Sequence, residues 1–244
     1  MRHSKSFLLI FFLTAASWSC QKSSVSPSSS TTTIPAVYKK IYGATDMYVD
    51  GSFLVIKTSD LPDHKSPYYS GAMYEAYNGS NTNFSKNPNS IISQSLTFRI
   101  PLNPTKAATS SATPLGSIGI SLNGVPFYNQ YAGPATPLTT EINSFDQYNG
   151  HPQMTGQYHY HVEPLYLTTN KGKDALLGFL LDGFPVYGPL ENGKTLTDAD
   201  LDALHGHSTA TADYPAGIYH YHTTADAPYI NGDGFYGTAG TVTN

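Results

Sequence analysis

The chain has 244 residues, with 13 Lys and Arg, 17 Asp and Glu, and a formal net charge of −4 at pH 7. This length allows one domain that buries a core without disulfides, and a chain with no basic excess is not expected to bind nucleic acid. Charged residues make up only 12% of the chain, whereas 19 residues are Tyr and 9 are His. Imidazole, carboxylate, phenol and amide groups are therefore the candidates for chemistry.

Residues 1–19 have the pattern of a bacterial export signal. Arg2 and Lys5 give a charged start, residues 7–13 form an apolar run too short to span a membrane permanently, and small residues follow. Ser-Trp-Ser-Cys at 17–20 resembles the lipobox of bacterial lipoproteins, which implies cleavage before Cys20 and a lipid on its thiol. The chain is then predicted to be anchored to a membrane of the cell envelope outside the cytoplasm, at the periplasmic face or in the outer membrane. The alternative is an ordinary secretory signal.

The rest of the chain divides into a linker at 20–37 and a folded domain at 38–244. The linker is rich in Ser, Thr and Pro and has no hydrophobic periodicity. Since Cys20 is the only cysteine, lipidation would leave no thiol for a disulfide or a zinc site. The first predicted elements of the domain are a hairpin at 47–56, with a type I′ turn at Asp50-Gly51, and a strand at 91–100.

From about residue 116 the chain repeats itself. Residues 119–128 (GISLNGVPFY) match residues 178–187 (GFLLDGFPVY), and each segment is followed in order by Gly-Pro, Asp-x-x-x-Gly-His and Tyr-His-Tyr-His. The conserved order with variable spacing indicates a duplication covering about 116–162 and 175–223. Each unit is predicted to contain an apolar strand, a turn, a short helical or turn segment, and a closing YHYH strand, and in the second unit residues 197–204 are predicted to form a brief helix.

The predicted fold is all-β. Short apolar runs, 21 Gly and 17 Pro favour a sandwich or barrel-like single domain with long loops and one or two short helices. Residues 181–189 (LDGFPVYGP) and the paired YHYH strings resemble the YHYH-domain proteins. The resemblance runs from about Val49 to Gly237 and includes LPDH at 61–64, the Asn-Gly-x-Pro turn at 123–126 and both Gly-His pairs. It implies membership of a family named for its motif and does not imply a particular reaction.

Seven histidines occupy motif positions and are candidate metal ligands. A strand places residues i and i+2 on one face, so His159 and His161 point one way and the neighbouring tyrosines point the other. Imidazoles spaced in this way commonly bind first-row metals. The candidate ligands are His64, His151, His159, His161, His207, His220 and His222, and His205 is close enough in sequence to join them. We expect the half-sites 151/159/161 and 207/220/222 to meet at a single centre.

The predicted cofactor is a transition-metal ion, and no organic cofactor is expected. Neutral imidazoles suit Cu(II), Zn(II) or Ni(II) and not Ca²⁺ or Mg²⁺; affinity order and an envelope location favour copper, with zinc next. Asp146 and Asp202 precede the Gly-His pairs. They are candidates for carboxylates that accept a ring N–H and fix the tautomer of a ligand, or alternatively for turn residues that accept backbone N–H groups.

Three functions remain open from the sequence. The first is an envelope protein that binds a transition metal through the duplicated histidines. The second is a metalloenzyme of hydrolytic or oxidative type, with one coordination position open to water or dioxygen. The third is a metal-free module that uses its aromatic and histidine-rich strands to contact carbohydrate or protein. A G-x-G-x-x-G match at 232–237 has no βαβ unit around it and predicts no nucleotide site.

Overall fold

The structure is a computed structural model that describes residues 1 and 33–244. The predicted signal peptide, Cys20 and most of the predicted linker lie outside the described residues. The last part of that linker is described, and there Ile34 and Val37 pack against the core of the domain. Within the described residues, no helix is both long enough and apolar enough to cross a membrane.

Strands dominate the described part of the chain. It also contains one short α-helix, α1 (Leu165–Lys171), and four 3-10 helices at Tyr38–Lys40, Gly71–Met73, Glu141–Ser144 and Asp198–Asp200. The sixteen strands are β1 Asp46–Asp50, β2 Phe53–Thr58, β3 Leu96–Pro101, β4 Ser117–Ser121, β5 Pro126–Tyr128, β6 Tyr131–Ala132, β7 Thr136–Pro137, β8 Gly150–Pro152, β9 Tyr158–Tyr160, β10 Leu176–Leu180, β11 Pro185–Tyr187, β12 Leu190–Glu191, β13 Lys194–Thr195, β14 Gly206–Thr209, β15 Ile218–His222 and β16 Thr241–Thr243.

Two sheets enclose the core. The smaller sheet has the order β1-β2-β3-β16, the larger has the order β14-β15-β11-β10-β4-β5-β9-β8, and the pairs β6–β7 and β12–β13 form separate ribbons. Strand β3 shows why the core forms here, since its residues are buried alternately. Its buried side chains lie in one cluster with residues of the larger sheet, such as Phe179 and Tyr160. Each such apolar side chain contributes about 1.5–3 kcal/mol by leaving water.

The all-β prediction is therefore confirmed in its sandwich-like form, and the described strands form no closed barrel. The hairpin is confirmed, but its turn is not as predicted. Asp50 still pairs with Phe53, so the turn residues are Gly51 and Ser52, and only Gly51 has a positive φ, which excludes type I′. The predicted strand at 91–100 begins only at Leu96.

The predicted helix at 197–204 is wrong. Only one 3-10 turn forms: Thr197 and Asp200 make a capping box at its start, but the backbone is already extended at Leu201, with φ −118° and ψ 162°. The true helix, α1, follows Pro164 and ends at Gly172, whose φ is 107°. A proline before a helix and a glycine after it are the usual signals of its ends, and the sequence interpretation overlooked them.

The larger sheet consists of two copies of one four-stranded unit. Strands β4, β5, β9 and β8 form the first unit, and β10, β11, β15 and β14 form the second in mirrored order. The units join through the antiparallel pair β4–β10, in which Ile120 lies opposite Phe179. On either side of this pair, the equivalent glycines of the two repeats, Gly119 and Gly178, also lie in the contact between the strands. A Cβ at Gly178 would lie 2.2 Å from the carbonyl oxygen of Ile120, and one at Gly119 would lie 2.5 Å from that of Phe179. Glycine at this position in both repeats is what allows the two units to join.

This junction places the two YHYH strands far apart. Strands β5, β4, β10 and β11 lie between β9 and β15, which at about 4.8 Å per strand separates the two by roughly 24 Å. The prediction that both half-sites meet at a single centre is therefore wrong. The histidine strands of each unit lie on the side of the unit away from the β4–β10 junction.

Two candidate metal centres

Each half-site is nevertheless brought together as predicted. In the first unit, His151 on β8 lies directly opposite His159 on β9, and His161 follows two residues later on the same face. In the second unit, His207 on β14 lies opposite His220 on β15, which also carries His222. The tyrosines of both YHYH strings point the other way into the main core. The period-two alternation of the strands is thus confirmed.

A glutamate completes each cluster. Glu141 Oε1 lies 3.2 Å from His151 Nε2 in the first unit. In the second, the carboxylate of Glu191 lies 3.2 Å from His207 Nε2 and 3.6 Å from His220 Nε2. In each cluster, one ligand atom from each residue lies within 4.8 Å of all the others. The first centre is Glu141, His151, His159 and His161, and the second centre is Glu191, His207, His220 and His222.

The backbone fixes the tautomers of the YHYH imidazoles. In the first centre, Nδ1 of His159 faces the carbonyl oxygen of Gln157 at 3.2 Å, and Nδ1 of His161 faces that of Asn129 at 2.6 Å. A carbonyl accepts only from a protonated nitrogen, so Nδ1 carries the hydrogen and Nε2 keeps a lone pair. The second centre repeats this arrangement: Nδ1 of His220 faces Ile218 O at 3.0 Å, and Nδ1 of His222 faces Gly188 O at 2.8 Å.

The ring nitrogens directed into the centres lack hydrogen-bond partners. The Nε2 atoms of His151, His207, His220 and His222 are buried without one. Those of His159 and His161 meet each other at 3.0 Å, although both carry lone pairs in these tautomers. Buried polar atoms normally have partners. Atoms that share one ion at ligand distances of about 2.0–2.2 Å lie about 3–4 Å apart, so the donor sets fit a metal ion.

The protonation states also suit a metal. Burial, reinforced by the neighbouring imidazoles, lowers the pKa of His161 and of His222 to about 4, and it lowers the pKa of His159 and His220 as well. These rings are therefore neutral near pH 7, and the neutral ring is the form that binds a metal.

The two glutamates are anionic under the same conditions. Contact with the neighbouring His151 lowers the pKa of Glu141. Burial opposes ionisation of Glu191, but the hydrogen bond from Thr209 and the nearby His207 together lower its pKa. Each centre thus combines three imidazoles with one negative charge.

Asp146 and Asp202 act in turns. The Asp146 carboxylate accepts from the backbone N–H groups of Tyr148 and Gly150 and from the hydroxyls of Ser66 and Tyr158. Asp202 accepts in the same way from Leu204, Gly206 and the hydroxyl of Tyr219. The structure does not support their interpretation as carboxylates that orient ligands, because the hydrogen bonds they accept come from backbone N–H groups and hydroxyls and not from a ligand imidazole. Backbone carbonyls orient the imidazoles of the YHYH strands instead.

His64 and His205 lie outside both centres. His64 is on the tyrosine side of β9, where its Nε2 lies 3.3 Å from the hydroxyl of Tyr160 and its ring packs against Tyr148 and Tyr166. The body of the strand separates it from His159 and His161, so its prediction as a ligand of this centre is not supported. His205 Nε2 forms a hydrogen bond with Thr224 Oγ1 at 2.9 Å.

Sequence reasoning missed both glutamates. They do not occupy equivalent positions, because Glu141 lies in a 3-10 helix after the β6–β7 ribbon whereas Glu191 lies within the β12–β13 ribbon. The duplication therefore gave no matched signal. A weaker signal was present, since each is the only glutamate between the Gly-Pro and the Gly-His of its unit.

Among known protein families, the one described as YHYH protein matches residues 97–198 and 190–234, which together span more than half of the chain. Each matched segment contains one complete centre, with Glu141 to His161 in the first and Glu191 to His222 in the second. No curated protein and no solved structure matches the chain.

Proposed function

The chain belongs to the YHYH protein family, and we propose that it is a cell-envelope lipoprotein that binds two transition-metal ions, one in each centre. The observation that carries this proposal is the 3.0 Å approach of the Nε2 atoms of His159 and His161. Both rings direct Nδ1 at a carbonyl oxygen, so two lone pairs face each other. This arrangement is repulsive unless a cation lies between the nitrogens.

Copper is the favoured ion and zinc the next. Three imidazoles and a carboxylate form a mixed nitrogen and oxygen donor set, which suits first-row ions and not Mg²⁺ or Ca²⁺. The glutamate also lowers the charge of a bound divalent ion from +2 to +1, which a set of imidazoles alone would not do. Within the divalent series, affinity is highest for Cu(II).

A metal-free contact surface has less support. The ligand imidazoles of the first centre are all buried, as are those of His220 and His222 in the second. Side chains in such positions have little surface to offer to a carbohydrate or protein partner.

The metal content of purified, tagless protein tests the proposal. After reconstitution with Cu(II) and removal of excess, we expect two ions per chain, one for each centre. His161→Ala and His222→Ala are each expected to lose one ion, and the double variant both, because each change removes a buried ligand from a different centre. Elemental analysis against protein concentration gives the result.

His205→Gln is the matched control for this experiment. His205 is buried and lies two residues before a ligand, but it belongs to neither centre, so this variant should keep both ions. A wild-type protein that retains no copper or zinc after reconstitution would contradict the proposal.

The lipid anchor rests on the sequence of residues 1–37 and has its own test. Replacing Cys20 by Ala removes the thiol that the lipobox resemblance identifies as the attachment point. We expect the Cys20→Ala protein to lose its incorporation of labelled fatty acid and to leave the membrane fraction. Equal membrane association of variant and wild type would argue against the anchor, and it would leave the metal centres unaffected.

A further inference from the structure

The two centres differ in the space beside them. A cavity of about 580 Å³ borders the second centre, where Glu191, His220 and His222 form part of its wall. This volume lies within the range of small-molecule sites, about 300–1,000 Å³. The His207 side chain is 23% exposed, although its Nε2 is buried.

The first centre is more enclosed. The space bordered by His159, His161 and Glu141 is only about 140 Å³. A second space of about 400 Å³ touches Glu141 and His151. Two residues that line this larger space, Ser144 and Asn87, contact Nδ1 of His151, which is the ring nitrogen facing away from the cluster. Of these two spaces, only the smaller borders the YHYH imidazoles, and the larger reaches the first centre at Glu141 and His151 alone.

One pair of equivalent tyrosines accounts for the difference. In the first unit, the ring of Tyr128 stacks on His159 with centroids 3.8 Å apart and covers it. In the second unit, Tyr187 meets His220 edge-on at 5.2 Å. Its hydroxyl lies 2.8 Å from Thr211 Oγ1 and 3.2 Å from Asp213 Oδ2. Tyr187 is thereby held as a wall of the cavity and not as a cover over the imidazole.

The charges around the larger cavity favour a monoanion. Its wall carries two lysines and two aspartates besides Glu191, and these four charges balance. Lys40 is paired with Asp213, whereas the exposed Lys171 lies 4.8 Å over the ring of Tyr42. A divalent ion together with Glu191 would add a net charge of +1. Leu122, Leu176 and Leu190 supply apolar wall.

We propose that the second centre is an open metal site that takes a small organic carboxylate, with the carboxylate directed to the metal and the apolar body against the leucines. This inference rests on the proposed function, because the carboxylate is attracted to a bound ion. The first centre, in contrast, holds its ion in an enclosed site.

Single-centre variants test the inference. In Cu(II)-loaded His161→Ala protein, which retains the second centre, benzoate is expected to shift the visible Cu(II) absorption and the electron paramagnetic resonance spectrum saturably. In His222→Ala protein, which retains the first, benzoate should cause no shift. Benzamide has the same shape without the charge and should have no effect on either variant.

Two changes in the cavity sharpen the test. Ala212 is exposed and lines the cavity, so Ala212→Trp in the His161→Ala background should keep its copper and lose the benzoate response. Lys171→Met should weaken benzoate binding roughly five-fold, the effect of one exposed charge. Lys39→Met changes an exposed lysine outside the cavity and serves as the control.

The outcomes separate the two proposals. Copper bound by His161→Ala protein with no response to benzoate would overturn the open-site inference and leave the metal-binding proposal standing. An equal benzoate response in both single-centre variants would also overturn the inference. Absence of copper from every variant and from the wild type would overturn both.

Discussion

Saturating metal-free protein with Cu(II) or Zn(II) is expected to raise its free energy of unfolding by roughly 8 kcal/mol, about 4 kcal/mol per centre at a free metal concentration 1,000 times the dissociation constant. The physical reason is that the ligands converge only in the folded state. The first centre draws on the 3-10 helix at Glu141–Ser144 and on strands β8 and β9. In the unfolded chain these groups are separated, so binding free energy becomes folding free energy.

The increments of the two centres should add. Independent sites more than about 10 Å apart usually contribute additively, and the YHYH strands are separated by roughly 24 Å of sheet. For a domain of this size, about 8 kcal/mol corresponds to a rise in melting temperature of roughly 15–30 °C. Thermal unfolding followed by circular dichroism, with free metal held constant by a metal buffer, measures the rise.

Three comparisons make this result specific. His161→Ala should keep about half of the metal-dependent increment, and so should His222→Ala. His64→Gln removes a buried histidine outside the centres; it should lower the stability of the metal-free protein and keep the full increment. Mg²⁺ should produce no rise. A full increment in the double variant lacking His161 and His222 would show that the ions bind elsewhere.

The parts of the centres that the sequence predicted are those fixed by local geometry. Period-two alternation decides that His159 and His161 share a face, and it does so wherever the strand lies in the molecule. The match of Gly-His with the YHYH strand then identified the third imidazole of each half-site, because strand pairing brings His151 opposite His159. Strand geometry and an internal repeat were sufficient for three of the four ligands of each centre.

The separation of the half-sites depends on a contact that no local pattern encodes. Two related units can pair through either of their outer strands, and the sequence does not state which. The structure uses β4 and β10, where Gly119 and Gly178 permit backbone contact. The strands that carry the histidines consequently lie on the side of each unit farthest from the other unit. Reading those two glycines as a site of close approach would have favoured two centres over one.

The glutamates were missed for a different reason. The glutamate of each centre comes from a connecting segment, and these segments differ between the two units. In the first unit this is the 3-10 helix beginning at Glu141, and in the second it is the ribbon that carries Glu191. The connecting segments of the two repeats differ in length, so aligning the repeats does not place Glu141 opposite Glu191.

Metal-free protein is expected to lose stability as the pH falls below about 6.5, and the histidines of the YHYH strands are the cause. Burial lowers the pKa of His161 and His222 to about 4 in the folded protein, against about 6.5 in an unfolded chain. Between these values the unfolded chain binds protons that the folded protein does not. The stability contribution of each ring is therefore fully present above pH 6.5 and is lost as the pH falls toward 4.

The size of this loss follows from the two pKa values. Between pH 7.5 and pH 5.0 each histidine should cost roughly 2 kcal/mol, so the pair costs roughly 4 kcal/mol. That is a large share of the 5–15 kcal/mol that usually stabilises a domain. Urea unfolding of chelator-treated protein at the two pH values, compared with the His161→Gln, His222→Gln double variant, measures the contribution.

The double variant is needed because other buried groups act in the opposite sense. Burial raises the pKa of Asp60, Asp146 and Asp182, so these carboxyl groups take up protons more readily in the folded protein than in the unfolded chain and favour the folded state as the pH falls. Their effect is common to wild type and variant and cancels in the difference. If the stability of the wild type falls no more than that of the variant between pH 7.5 and 5.0, the two imidazoles are protonated in the folded state. The argument that these rings are neutral and ready to bind a metal would then fail.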